Sequence, residues 1–237
     1  MPRIRATVFD YYSTLIDIKT DEGKEEIFDY LSLYLQYYGA NLDTRKLKSA
    51  LDSEKERYLK SSKERYPEVD LEIVFMNILK KAGLDTTFLA ESCCKLFRLI
   101  SRERFQVFPD SLPVLEEMKR SKYPLAVVSD AQKVFCFEEG EMLGLNQFFD
   151  YIVVSTQFGF RKPDPRLFTI ACTLLDIPPA EAVYIGNEPA TDVKGAKQIN
   201  MKAILLDRNS NHRNPEPKPD FYATNLWEAW NWIKAGS

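Results

Sequence analysis

The chain has 237 residues, with 32 Lys and Arg against 35 Asp and Glu, four Cys and one His. A formal net charge of −3 argues against a surface built around nucleic-acid phosphates, which needs a basic face. His212 is the one histidine, so a multi-histidine metal site within one chain is excluded, and any chemistry falls to carboxylates, hydroxyls and lysines.

At 45% hydrophobic and 28% charged, the composition is that of a globular protein, and its length fits one large domain or two small ones. No apolar run reaches the 18 or so residues of a membrane span, and the first ten residues lack the apolar core of a signal peptide. Cys93 and Cys94 are adjacent, Cys136 and Cys172 lie far off, and no pair has C-x-x-C spacing. Four reduced cysteines in a cytoplasmic chain are the expectation.

Residues 4–9, rich in branched and aromatic side chains, predict a strand ending at Asp10. From about 20 to 105 the texture is helical. Ile27, Leu31, Tyr34, Leu35 and Tyr38 fall at helical spacing, as do Leu47, Leu51 and Tyr58. Residues 71–81 and 88–102 are two more amphipathic stretches, with Gly83 ending the first and Thr86 or Thr87 capping the second. This predicts about four helices with no strand between them. The aromatic stripe from 28 to 38 reads as helix core, and the charged run 54–57 as a solvated face.

After Pro109, helices (111–121, 135–143, 165–175, 191–200) alternate with apolar strands (124–129, 151–155, 182–186, 202–206). A Pro-rich loop at 213–219, a short strand at 221–223 and a closing helix at 226–234 follow. Such alternation predicts right-handed crossovers and a mostly parallel sheet. The fold class is therefore α/β: a Rossmann-like parallel-sheet core domain (1–17 plus 106–237) with an inserted helical-bundle domain (18–105). The insert follows the carboxyl end of the first strand, the edge where open parallel sheets bind ligands, and so is placed to be a lid.

The polar residues at those strand ends are Asp10 and Thr14, Ser129 and Asp130, Lys162, and Asn187, Glu188 and Asp192. A carboxylate able to attack, a hydroxyl, a lysine and an acidic pair on one edge suit nucleophilic displacement at a phosphoryl or alkyl centre. His212 falls in a polar loop, away from all of them.

These residues carry a resemblance to the haloacid dehalogenase-like hydrolase superfamily, over nearly the whole chain. Val8-Phe-Asp10-Tyr-Tyr-Ser-Thr14-Leu15 resembles the first motif, D-x-D-x-T-L in phosphatases and D-x-Y-x-T-L in dehalogenases. Val127-Val-Ser129 resembles the second, and Arg161-Lys162-Pro-Asp-Pro165 the third. Gly186-Asn187-Glu188-Pro-Ala-Thr-Asp192 resembles the fourth, usually G-D-x-x-x-x-D, and the insert lies where the family has its small helical cap. The resemblance implies that Asp10 is a nucleophile forming an aspartyl intermediate. Ser129 would hydrogen-bond the transferring group, Lys162 neutralise charge, and Thr14 orient the first loop. In the phosphatase branch Asp10 and Asp192, with a backbone carbonyl at Tyr12, would hold Mg²⁺, and Glu188 or Asn187 would complete the acidic edge. The partner would be a small-molecule substrate, with no nucleic acid or membrane, on a monomer or homodimer.

Two residues depart from the phosphatase pattern. Tyr12 stands where phosphatases place a second Asp to protonate the leaving alkoxide, a step worth about 10²–10⁴-fold. A Tyr there resembles the dehalogenases, or suits phosphates with good leaving groups such as acyl phosphates. Asn187 stands in place of the usual metal-binding Asp and removes one charge. Against the dehalogenase branch, Arg45 is the nearest candidate for its halide-cradling Arg but reads as helix surface, and Phe168 stands for its downstream Tyr. The expected activity is an aspartate-nucleophile hydrolase, a Mg²⁺-dependent phosphatase for a small phosphorylated metabolite. The alternatives are a metal-independent 2-haloacid dehalogenase and a non-catalytic binding protein on the same fold.

Overall fold

The structure, a computed structural model, describes residues 3–84, 87–209, 212 and 214–236. The chain enters through β1 (Ala6–Phe9). It then forms β2 (Ile16–Thr20) before four helices, α1 (Glu25–Tyr37), α2 (Thr44–Ser61), α3 (Leu71–Lys81) and α4 (Thr87–Ser101). It returns through β3 (Arg102–Val107), which pairs antiparallel with β2. No strand was expected at either end of the helical block. The ribbon hides in the sequence because two of the five β2 residues and three of the six β3 residues are charged, and the expected segment ends at 17 and 105 fall inside it.

The remainder alternates α5 (Ser111–Arg120), β4 (Leu125–Ser129), α6 (Lys133–Met142), β5 (Tyr151–Val154), α7 (Pro165–Leu174), β6 (Ala182–Gly186), a π-helical turn (Pro189–Val193), α8 (Lys194–Gln198), β7 (Lys202–Leu206), β8 (Phe221–Ala223) and α9 (Leu226–Ala235). The expected helix 191–200 is thus a π turn running into a short α-helix. The sheet order is β5-β4-β1-β6-β7-β8, every neighbouring pair parallel. Every residue of β1, β4 and β6 is buried, as expected of strands covered on both faces.

Successive side chains feed opposite layers. Phe9, Val127 and Ile185 pack with Val114 and Met118 of α5 and Trp230 of α9. Val8, Val128 and Tyr184 pack with Phe168 of α7 and Ala196 of α8. Gly195 permits that second layer to close, because a Cβ there would stand 2.1 Å from the Phe168 ring.

The four helices bury a third cluster of their own, including Leu31, Leu47, Phe75, Cys94 and Phe97. Two expectations about them need correction. Phe28 is buried, but Tyr30 and Tyr37 are exposed, Tyr37 at 83%, because the apolar face of α1 runs through Ile27, Phe28, Leu31 and Leu35. In the charged run, Lys55, Glu56 and Arg57 stay at least partly exposed as expected of a solvated face, and only Glu54 is buried, held by the exposed Arg57 and Lys81. The cap expected at Thr86 or Thr87 lies outside the described residues and side chains. All four cysteines are free and buried. No described helix is long and apolar enough to cross a membrane.

The helical block is tied down over the carboxyl edge of the sheet. Gln132 donates to the Val69 carbonyl at 2.7 Å and accepts from Leu71 N–H at 2.9 Å. Arg161 N–H donates to the Tyr66 carbonyl at 2.9 Å, and Glu68 N–H to the Gly159 carbonyl at 3.0 Å. Arg98 of α4 grips Glu139 of α6 with two bonds of 2.7 and 2.8 Å.

Candidate active site

Asp10 follows the last residue of β1, and its N–H is held by the Ile185 carbonyl of β6 at 2.8 Å. The loop after β5 folds back so that Lys162 N–H donates to Asp130 Oδ1 at 2.9 Å. Asp164 then caps α7 through Arg166 N–H at 3.0 Å, with Pro165 at the first helical position. A cap of this kind is worth about 1 kcal/mol, and here it fixes the path of the loop that delivers Lys162. The fourth element arrives through Gly186, where a Cβ would stand 2.3 Å from Asp192 Oδ2. Only glycine lets the Asp192 carboxylate fold back against the strand end.

These constraints bring Asp10, Lys162 and Asp192 into one buried cluster. The three ammonium protons of Lys162 are all placed: on Asp10 Oδ1 at 2.7 Å, Asp192 Oδ1 at 2.7 Å and the Tyr184 hydroxyl at 3.1 Å. Tyr184 in turn donates to the Val128 carbonyl at 2.8 Å. Thr14 Oγ1 donates to Asp10 Oδ2 at 3.0 Å and lies 3.2 Å from Asn187 Oδ1. Burial raises the Asp10 carboxyl above its ordinary range, against the pull of the Lys162 ammonium. Burial alone would lower Lys162, but Asp10 and Asp192 outweigh it and hold the ammonium well above its usual value. Lys162 is therefore a fixed positive charge. Ser129 Oγ is buried with no hydrogen-bond partner in the structure, a state that costs about 1–3 kcal/mol unless a ligand oxygen relieves it.

Tyr12 is committed elsewhere. Its hydroxyl donates to Glu139 Oε2 at 2.5 Å, and the Arg98 guanidinium lies 5.1 Å from its ring centre. Burial, with Cys136 and Glu139 nearby, pushes the phenol well above its usual range. This residue joins the first loop to α6 and to the helical block.

Two pockets flank the cluster. One, of about 300 Å³, lies in the seam beneath the helical block and is lined by Tyr12, Glu68, Arg98, Asp130, Gln132 and Arg161. Burial pushes Glu68 up to about 7, and nearby Asp130 adds to the rise; burial also raises Asp130. The other, of about 240 Å³, is lined by Ser13, Arg104, Asn187, Arg208 and His212 among others. His212 is thus not remote from the motifs, as its loop suggested, but shares a pocket with residues of the first and fourth. Arg208 reaches back into the first loop, donating to the Thr14 carbonyl at 3.0 Å and to Asp110 Oδ2 at 3.0 Å.

The remaining expected residues divide. Glu188 is exposed, and its carboxylate accepts from Ala190 N–H at 3.2 Å, which turns it to capping the π turn. Arg45 is exposed on α2, as read. Phe168 is buried, with its ring centre 4.8 Å from that of Tyr184. Glu139, Arg98, Tyr184, Glu68 and Arg208 were not anticipated. Of these only Tyr184, a phenol inside an otherwise aliphatic strand, carried a local signal.

For Mg²⁺, the donor chemistry is thin. Both Asp192 oxygens are used, by Lys162 and by Glu188 N–H at 2.9 Å, and the Glu188 carboxylate accepts from Ala190 N–H. No group of three His, Cys, Asp or Glu side chains able to hold a metal occurs among the described residues. What remains is Asp10 Oδ2, which takes only the Thr14 hydroxyl, the Asn187 amide oxygen and the backbone carbonyl expected at Tyr12. Mg²⁺ accepts one or two carboxylates when waters and a substrate phosphate complete its shell. The residues therefore fit an ion that shares its coordination with a phosphate.

A carboxylate at the end of a central parallel strand is thus locked to a buried ammonium, and an unpartnered hydroxyl ends the neighbouring strand of this α/β sheet. A family model for haloacid dehalogenase-like hydrolases matches residues 7–206, and the chain belongs to that family. Among curated relatives, a phosphoserine phosphatase of Thermus thermophilus is 31% identical over 159 residues, covering 67% of this chain and 63% of that protein. A glyceraldehyde 3-phosphate phosphatase of Methanopyrus kandleri is 31% identical over 118 residues, 48% of this chain and 51% of that one. The chain thus spans less than two thirds of each. Among solved structures, a 2-haloacid dehalogenase from Pseudomonas syringae superposes with a TM-score of 0.75 at 24% identity over 98% of both chains. A HAD phosphatase from Thermococcus onnurineus does so with 0.66 at 23% identity over 99% of both. At those identities the structural likeness establishes the fold.

Proposed function

We propose that this protein is an aspartate-nucleophile phosphatase acting on a small phosphorylated metabolite. The observation that carries the reading is the Asp10–Lys162–Asp192 cluster with the unpartnered Ser129 hydroxyl beside it on the β4 end. The phosphatase relatives named above support it.

In this reading an Asp10 oxygen attacks phosphorus, the bond to the leaving oxygen breaks, and water then cleaves the aspartyl phosphate to release inorganic phosphate. Lys162 offsets the charge of nucleophile and substrate, and Ser129 donates its free proton to a phosphoryl oxygen. Thr14 holds Asp10 Oδ2 so that the other oxygen's orientation is set by Lys162. Mg²⁺, held by Asp10 with oxygens of Asn187 and the Tyr12 backbone, would supply further charge neutralisation when bound. The leaving group points toward the seam pocket, where residues 18–105 act as its cap. With Tyr12 tied to Glu139, phosphates whose leaving group needs no proton, such as acyl phosphates, are the preferred class. A cytoplasmic setting agrees with four free thiols.

Hydrolysis of acetyl phosphate and p-nitrophenyl phosphate, abolished by Asp10→Asn, is the expected result. The second reading, a 2-haloacid dehalogenase, is favoured by Tyr12 alone, since halide leaves without a proton. Chloride release from L-2-chloropropionate in EDTA, with no phosphate released from either phosphate substrate, would replace the first reading with the second.

A further inference from the structure

We infer that Asn187 converts Mg²⁺ from a resident of this site into a ligand bound jointly with phosphate. The inference rests on the phosphatase reading of the same cluster.

Three observations lead to it. First, the buried carboxylates next to the nucleophile are already served by a protein cation. Lys162 Nζ lies 2.7 Å from both Asp10 Oδ1 and Asp192 Oδ1. A divalent ion entering the free protein would meet Asp10 with a lysine already on it, and an Asp192 whose second oxygen is occupied by Glu188 N–H.

Second, the acceptor that shares the Thr14 hydroxyl with Asp10 is neutral. Thr14 Oγ1 sits 3.0 Å from Asp10 Oδ2 and 3.2 Å from Asn187 Oδ1. One hydroxyl carries one proton, so these two acceptor oxygens share a single donor. They converge on Thr14 Oγ1 with one charge between them and not two. Glu188, which could have restored that charge, is turned to Ala190 N–H in the π turn.

Third, the net charge of the cluster decides what can enter. Asp10, Asp192 and Lys162 leave one negative charge. A bare Mg²⁺ would turn that into a net positive charge in a buried site, whereas Mg²⁺ with a phosphate dianion restores the original balance. Mg²⁺ dehydrates reluctantly and depends on the charge of its ligands. An Asp at position 187 would supply the missing charge and let the ion stay without substrate.

Isothermal titration calorimetry tests this without turnover. The expected results are no Mg²⁺ binding by the wild-type protein below about 10 mM, at least about tenfold tighter binding when inorganic phosphate is present, and at least about tenfold tighter binding by Asn187→Asp without phosphate. The two wild-type titrations decide whether the ion binds jointly with phosphate even if the variant does not fold. Binding below about 10 mM by the wild-type protein alone overturns the inference, as does an affinity unchanged by phosphate or, in a folded variant, by Asn187→Asp. Neither outcome bears on whether Asp10 hydrolyses phosphate esters, which the Asp10→Asn comparison reads separately.

Discussion

The Tyr12 hydroxyl donates to Glu139 Oε2 at 2.5 Å, and Glu139 is buried and held by two bonds from Arg98. The residue standing where a leaving-group acid is expected is therefore spent on joining the first loop to the helical block. Placing a carboxyl there should help only substrates that need the proton. Tyr12→Asp is predicted to raise turnover of an alkyl phosphate by about tenfold or more and that of acetyl phosphate by much less. Steady-state rates on the two substrates measure this, and equal changes on both would refute the leaving-group argument.

Lys162 is the counter-charge for two buried carboxylates. Lys162→Met keeps its length and removes the charge, which leaves Asp10 and Asp192 facing each other unpaired. Breaking a buried pair in this way costs about 3–5 kcal/mol. The variant should be inactive and less stable, with the loss greater at pH 8 than at pH 5, where the Asp10 carboxyl, already raised by burial, can take up a proton. Thermal unfolding at the two pH values is the check.

Much of this cluster was legible before the fold was known. Asp10, Ser129, Lys162 and Asp192 each follow a nearly continuous apolar run or a Pro-bounded turn, and parallel strands put such ends on one edge. The strands β4, β6 and β7 were legible for the same reason: both faces are buried, so the runs are unbroken. The β2–β3 ribbon was not, because Ile-Asp-Ile-Lys-Thr and Arg-Glu-Arg-Phe-Gln-Val alternate over a half-exposed surface and adjoin helices. Nor were the partners of Tyr12 or Thr14. Glu139 lies 127 residues from Tyr12, and Arg208 lies 194 from Thr14, and no local pattern encodes which distant charge a side chain will meet.

Glu68 gives the seam a pH dependence. Its carboxyl rises from 4.5 to about 7 on folding, chiefly through burial, with Asp130 raising it further and Arg161 and the Ser155 hydroxyl opposing. The folded state therefore binds the proton more tightly than the unfolded chain. Stability is highest below about pH 4.5 for this group and falls as pH rises toward 7. Glu68→Gln removes that loss and is predicted to be more stable than wild type at pH 8, by on the order of 2 kcal/mol, with little difference at pH 5. Denaturant melts at both pH values measure the gap.

Arg208 holds the Thr14 carbonyl, and Thr14 holds Asp10 Oδ2. Arg208→Ala should misplace the nucleophile more than the substrate. The expected result is a kcat lowered by about tenfold or more with KM for p-nitrophenyl phosphate within about twofold, and partial recovery in Arg208→Lys. A lower melting temperature with unchanged kcat would mean that Arg208 only braces the fold.

In the proposed function, Asp10 becomes covalently phosphorylated during turnover. Borohydride reduces an aspartyl phosphate to homoserine, so quenching acetyl phosphate turnover into borohydride and sequencing the peptide spanning residue 10 by mass spectrometry reads the intermediate directly. The account predicts homoserine at position 10 in the wild-type protein, and none without substrate or in Asp10→Asn. Phosphate release with residue 10 unmodified would contradict it.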